Sequence, residues 1–319
     1  MSAHGTVHRS DTAETPCPFI LGPEDVGTSS VRHLARSADV LKQLVRDKGA
    51  LVLRGFDISD QEHFKDVVRL FSDGELMDYA GGVSPRAKFD DGVYNSTEYP
   101  ADMRLRLHNE MSYSSLFPNK IFFYCEVEPV DRGETTVGDG RRILAMLDPG
   151  IIDEFERRGG VRYERYLTND PDSPYSWQAA FESREGLRAE RICSELGARF
   201  EWDELQNLSI YQDGPATLVH PVTGERVWFN QADGFHHTEI DDQTLNAMSD
   251  AGVRPRLGST FADGSPFERE MLDHIREVKT AASYEHRWQR GDCLLLDNIL
   301  FMHGRSPFAG PRKILVAMS

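Results

Sequence analysis

Apolar residues recur at helical spacing from residue 29 to 48, at Val31, Leu34, Ala35, Ala38, Leu41, Leu44 and Val45. Gly49 follows where such a helix closes on a left-handed residue. The pattern then changes period. Residues 50–56 read as a buried strand, and residues 62–71 as a short helix carrying Phe64, Val67, Val68 and Phe71 on one side. Residues 120–127 are strongly β in composition, and a turn at Gly133 leads into a second strand over 134–139. Helical spacing returns at 141–147 and 151–158, divided by Pro149 and Gly150, and again at 184–196 and 267–282. Short strands are predicted at 208–211, 216–219 and 226–230, and two apolar strands, 291–297 and 313–318, close the chain. Two stretches carry no sustained period. Residues 73–103, with Pro85, Pro100 and several tyrosines, predict a lid or binding loop, as does an excursion over 168–183 with Tyr175, Trp177 and Phe181. Many short strands with helices between them, and no βαβ alternation, predict a mainly β (α+β) fold around a jelly-roll barrel. Residues 1–18 read as a polar tail, and 19–319 as a single domain.

Composition narrows the classes of function. The 319 residues are 39% hydrophobic and carry 52 acidic against 36 basic side chains, a net charge of −16 with no basic run. Nucleic acid and anionic membranes are therefore excluded as expected partners. Cys17, Cys125, Cys193 and Cys293 lie too far apart for a zinc knuckle or a disulfide framework. The chain shows no signal-like start and no apolar run of the roughly 18 residues that span a bilayer. A reduced, cytoplasmic protein is the expectation.

Candidate chemistry centres on L-H-N-E-M-S-Y at 107–113. On a strand, side chains two apart share a face, so His108 and Glu110 would both point inward and Asn109 away. Two imidazoles and one carboxylate on one side of a cation form the facial triad that suits non-haem Fe(II), and His303 is the candidate third ligand. Arg312 follows at the start of the last strand, where a guanidinium suits a carboxylate through two parallel hydrogen bonds. Thr135 offers a hydroxyl to the same oxygens, which would be those of the distal carboxylate of 2-oxoglutarate; a terminal salt bridge for Arg312 and an ordinary turn threonine for Thr135 are the alternatives. Arg104 and Arg106 share the parity of His108, so they are candidates for a substrate carboxylate, with pairing to the protein's own acids as the ordinary alternative. Asn230, with Trp228 and Gln231, is a candidate wall of the substrate pocket, against plain core packing. His236 and His237 read as a surface pair, and His220 as structural.

These motifs, together with K-I-F-F-Y-C, the G-E-T turn, T-G-E-R-V-W-F-N-Q, G-D-C-L-L-L-D-N and H-G-R-S-P-F-A-G-P-R-K-I-L-V-A-M, resemble the TauD/TfdA family of Fe(II)/2-oxoglutarate dioxygenases. The resemblance covers roughly residues 40 to 319 and is greatest to SyrP-like amino-acid hydroxylases of natural-product pathways. It implies a double-stranded β-helix (cupin-like) core. It also implies His108, Glu110 and His303 as iron ligands, Thr135 and Arg312 as cosubstrate contacts, and O2 as oxidant. The implied reaction converts 2-oxoglutarate to succinate and CO2 while hydroxylating an unactivated C–H bond. The implied substrate is a small amino acid, free or tethered to a carrier protein; desaturation, epoxidation or cyclisation could occur at the same site, and a homo-oligomer is compatible. A non-catalytic metabolite-binding barrel is the alternative from another class. Two departures from taurine dioxygenase stand out. Glu110 replaces its aspartate, and Val316 stands where it has a sulfonate-gripping arginine. A carboxylate at 110 also disfavours halogenation.

Overall fold

A computed structural model describes residues 18–72, 74, 76, 77, 88–90, 92–96 and 99–319. The chain's architecture follows from the alternation in its apolar strands. In Lys120–Val127, Ile121, Phe123 and Cys125 enter one core while Phe122 and Tyr124 enter another. This strand lies near the middle of a seven-stranded mixed sheet, in the order Phe19–Leu21, Ala50–Leu53, Cys293–Asp297, Lys120–Val127, Lys313–Met318, Val93–Asn95 and Lys88–Asp90. On one face, Phe122, Leu295 and Leu315 pack with Leu41, Val45, Phe64, Val67 and Phe71 of the helices Ala38–Lys48 and Gln61–Phe71. Each such side chain, fully buried, contributes about 1.5–3 kcal/mol.

The other face shares its core with a second, four-stranded sheet ordered Ser283–His286, Thr135–Asp139, Phe301–Arg305 and Leu105–His108. Val137 and Phe301 of this smaller sheet meet Ile121, Phe123, Leu294, Leu296, Ile314 and Val316. Its outer face places Leu107 and Met302 against Leu272, Ile275 and Val278 of the helix Arg269–Ala281. The order is thus helices, sheet, sheet, helix. Gly49 joins two of these layers: its φ of 73° suits glycine, and a Cβ there would come within 2.4 Å of the Phe301 ring.

Several predicted elements appear as expected, among them the strands Lys120–Val127 and Lys313–Met318 with the same bounds and the helix Gln61–Phe71 begun one residue earlier. Pro149 does not merely interrupt two helices. It is the first residue of the second, Pro149–Arg157, capped by Asp148, whose carboxylate accepts from Gly150 N at 2.7 Å. The expected loop at 73–103 lies in large part outside the described residues, as does the tail over 1–17. Its described parts include Lys88–Asp90 and Val93–Asn95, which extend the large sheet instead of forming a loop. The excursion at 168–183 is also more ordered than expected, since Trp177 and Phe181 pack with Cys193, Leu208 and Ile210 in a core of their own. Beside that core lies a four-stranded antiparallel sheet, Arg199–Trp202, Leu208–Gly214, Val161–Leu167 and Leu257–Phe261, of which the sequence pattern predicted only part of one strand. Among the described residues no helix is long and apolar enough to cross a membrane.

Candidate metal centre

Strand pairing brings the two distant histidines together. His303 and His108 stand directly opposite each other in the smaller sheet, so their side chains share a face. That face is the inner one: the His303 ring lies 5.1 Å from the Phe123 ring and 4.3 Å from the His108 ring. His108, Glu110 and His303 each offer a donor atom, all within 4.8 Å of one another, and no other group of three such residues does so among the described residues. Glu110 and His303 are 2% and 4% exposed.

Glu110 arrives there by a different route from the one its spacing suggested. The strand ends at His108, and Glu110 sits in the turn that follows, next to Met111, whose φ is 55°. Asn109, expected to point away from the His108 and Glu110 face, has a structural role of its own. It is wholly buried, and its Nδ2 donates to the carbonyl oxygens of Asn298 at 2.6 Å and Phe301 at 3.4 Å. Asn298 returns the contact: its Oδ1 accepts from Glu110 N at 2.7 Å, and its Nδ2 donates to Glu110 O at 3.0 Å and Pro118 O at 2.8 Å. Gln231 adds a donor to Asn109 O at 2.9 Å. The Asp297 carboxylate accepts from Ile299 N and Leu300 N at 3.0 and 3.1 Å and holds the turn before the His303 strand. His220, structural as expected, stands 3.0 Å from that carboxylate.

The donor chemistry fits a cation. Glu110 Oε2 and His303 Nε2 lie 3.5 Å apart. Two lone-pair donors facing each other at that range repel unless a proton or a metal ion lies between them. Ligands about 2.1 Å from one ion and at right angles to each other stand about 3.0 Å apart, close to this separation. His108 Nδ1 lies 2.8 Å from Arg106 O, which makes Nδ1 the protonated nitrogen and leaves Nε2 as the donor.

Arg312 and Thr135, the cosubstrate candidates, each have protein partners of their own. Arg312 Nε donates to Gly133 O at 3.0 Å and Nη1 to Ser96 Oγ at 3.4 Å. No carboxylate pairs with Arg312 among the described residues. Burial, with Arg305 nearby, pushes its guanidinium down to about 10. Thr135 is 3% exposed on the face shared with Val137, and its Oγ1 accepts the Trp288 indole N–H at 3.1 Å.

The substrate candidates fare differently. Arg104 pairs with Glu285 at 3.5 Å, and Arg106 pairs with Glu239 at 2.5 Å, so both guanidiniums answer to the protein's own acids. Asn230 is wholly buried; its Nδ2 donates to Ala216 O and its Oδ1 accepts from Ala232 N, so the main chain occupies its amide. Trp228 is core, edge-on to Phe155 at 5.2 Å. His236 is not on the surface: it is 7% exposed, with its ring 4.0 Å from that of His237. Val316, wholly buried in the shared core, presents no cation to a sulfonate. Asn109, Asn298 and Trp288 are the residues that sequence reasoning missed. Only Asn298 carried a signal, an amide between the apolar runs 293–296 and 299–302; Asn109 and Trp288 lie among polar residues and gave none.

The chain is similar to known proteins along most of its length. The family described as taurine catabolism dioxygenase TauD, TfdA family matches residues 12–318. The dapdiamide synthesis protein DdaC of Enterobacter agglomerans is 35% identical over 281 residues, 87% of this chain and 84% of that protein. A clavaminate synthase-like protein of Arabidopsis thaliana is 30% identical over 293 residues, 87% of this chain and 83% of that one. The fold resembles PvcB of Pseudomonas aeruginosa, with a TM-score of 0.55 at 19% identity over 98% of this chain and 94% of that chain. The chain belongs to the TauD/TfdA family and is a 2-oxoglutarate-dependent dioxygenase, of the class that works with Fe(II), 2-oxoglutarate and O2.

Proposed function

We propose that this protein hydroxylates an unactivated C–H bond of an amino acid or amino-acid-derived substrate, releasing succinate and CO2, in the biosynthesis of a specialised metabolite. The observation that carries the reading is the cluster of half-buried His108 with buried Glu110 and His303, together with an Arg312 that no carboxylate pairs among the described residues. DdaC bears the name of a dapdiamide synthesis protein, and a structural relative is an asparagine oxygenase solved with Fe(II), 3-hydroxyasparagine and succinate. Both names support an amino-acid-like substrate, and neither decides between a free and a carrier-tethered one. We take residues 19–319 as one catalytic domain, its two facing sheets as a double-stranded β-helix, and its setting as the cytoplasm.

His108, Glu110 and His303 would hold the ferrous ion, leaving the opposite side for cosubstrate and oxygen. Arg312 would place two parallel N–H donors on the distal carboxylate of 2-oxoglutarate, with the Thr135 hydroxyl as a third donor. When bound, iron and cosubstrate supply the oxidising power through decarboxylation of 2-oxoglutarate. Phe123, Val137 and Val316 provide an apolar setting that keeps bulk water from the reacting groups.

A second reading has its own support. A tyrosine isonitrile desaturase of Pseudomonas aeruginosa is 25% identical over 282 residues, so removal of two hydrogens is the alternative outcome. The test is anaerobic addition of Fe(II) and 2-oxoglutarate, followed by an amino-acid screen for coupled succinate release. A visible charge-transfer band should form in the wild type and vanish in His108→Ala. A product heavier by one oxygen supports hydroxylation, and one lighter by two hydrogens supports desaturation. An undiminished band in the variant would sink the site.

A further inference from the structure

Trp288 lies between strands Ser283–His286 and Cys293–Asp297 and is 4% exposed within the core that the two sheets share. Its indole nitrogen is a donor only, whereas a threonine hydroxyl has one hydrogen to give and two lone pairs. The contact at 3.1 Å therefore has one polarity: Trp288 donates and Thr135 accepts. The Thr135 hydrogen must then point elsewhere, and among the described residues no acceptor takes it. A buried donor without an acceptor costs roughly 1–3 kcal/mol, so this one calls for a ligand oxygen.

Trp288 is itself held in place. The His286 ring meets it edge-on, with centroids 4.7 Å apart and planes at 85°. His286 lies directly opposite Thr135 in the sheet, and its Nε2 is 3.5 Å from Asp292 Oδ2. Asp292 in turn accepts from Arg54 Nε and Nη2 at 2.9 and 2.6 Å. Arg54, Asp292, His286 and Trp288 form a buttress that ends at the Thr135 oxygen.

We infer that Trp288 is a positioning residue, which fixes the Thr135 hydroxyl as a donor to the distal carboxylate of 2-oxoglutarate and so favours 2-oxo acids that carry a second carboxylate. The inference rests on the cosubstrate reading of Thr135 and Arg312. It also separates two roles that sequence spacing merges: Arg312 supplies charge, and Trp288 sets the direction of the hydroxyl.

The test is anaerobic titration calorimetry of the Mn(II)-loaded protein with 2-oxoglutarate and, in parallel, with 2-oxopentanoate, which lacks the distal carboxylate. Trp288→Phe should raise the Kd for 2-oxoglutarate about tenfold, in line with a lost hydrogen bond to a charged group. The Kd for 2-oxopentanoate should stay within about twofold. Thr135→Val should weaken 2-oxoglutarate alone, and adding Trp288→Phe to it should change nothing further. Site-specific replacement of Trp288 by 3-benzothienylalanine, an isostere without the N–H, guards against misfolding and should reproduce the selective loss. Unchanged 2-oxoglutarate affinity, or an equal loss for both acids, would leave Trp288 a packing residue and overturn the inference. If the wild type failed to bind 2-oxoglutarate at all, the cosubstrate reading itself would fall, and this inference with it.

Discussion

At the scale of single residues, the ligand types were legible and their supports were not. His108 and Glu110 were found by their two-residue spacing and His303 by its place in the last strand pair, with the resemblance joining the three. Asn298 looks like a turn residue in sequence, yet its side chain makes three hydrogen bonds, two that tie the Glu110 main chain to the turn before the His303 strand and one to Pro118 O. Nothing local encodes a contact between residues 188 positions apart. Asn298→Ala removes all three and leaves Glu110 N and two carbonyls buried and unpaired. We predict a stability loss of about 2–4 kcal/mol, read from the urea midpoint. Fe(II) affinity should fall at least tenfold as Glu110 loses its fixed placement. Wild-type affinity in a folded Asn298→Ala would show that Glu110 is held by something else.

At the scale of elements, legibility tracked how cleanly the apolar period was written. Lys120–Val127 and Lys313–Met318 are nearly continuous apolar runs, buried on both faces, and were read correctly. Val161–Leu167 was missed because an arginine stands at a position where its burial pattern calls for an apolar residue. Val161, Tyr163 and Arg165 alternate inward, with Arg165 only 2% exposed over the Tyr113 ring. Lys88–Asp90 and Val93–Asn95 are three residues each, too short for a period to register. A further feature of the Phe301–Arg305 strand escaped notice. Its pairing with Leu105–His108 shifts register between His303 and Arg305, at Gly304. A Cβ on Gly304 would lie 2.5 Å from Leu105 O and 2.6 Å from Thr136 Oγ1, so the glycine lets the strands on both sides approach. Gly304→Ala must spread them and shift His303 away from His108. The expected cost is about 1–3 kcal/mol by thermal unfolding, with a weaker charge-transfer band at saturating 2-oxoglutarate. A variant that matches the wild type in both measurements would show that the close approach is not required.

At the scale of the whole molecule, His236 contributes to the acid side of the stability profile. Burial is the largest cause that pushes its imidazole down to about 4, and His237, Arg276 and Arg269 push the same way. In the unfolded chain the ring returns to an ordinary value near 6.5. Between those values the unfolded state holds a proton that the folded state does not, so stability rises with pH across the window and falls on acidification. The full shift corresponds to about 3 kcal/mol lost between pH 6.5 and 4, an upper bound because other groups titrate there too. The direction is opposite for a histidine stabilised by a carboxylate, which would strengthen the fold on acidification. His236→Asn removes the proton-linked part while leaving a side chain that can still accept from Thr238 N, as His236 Nδ1 does at 3.3 Å. Urea midpoints measured at pH 7.5 and 5.0 should therefore diverge less in the variant than in the wild type. Equal acid sensitivity in the two proteins would place the proton uptake elsewhere and overturn this assignment.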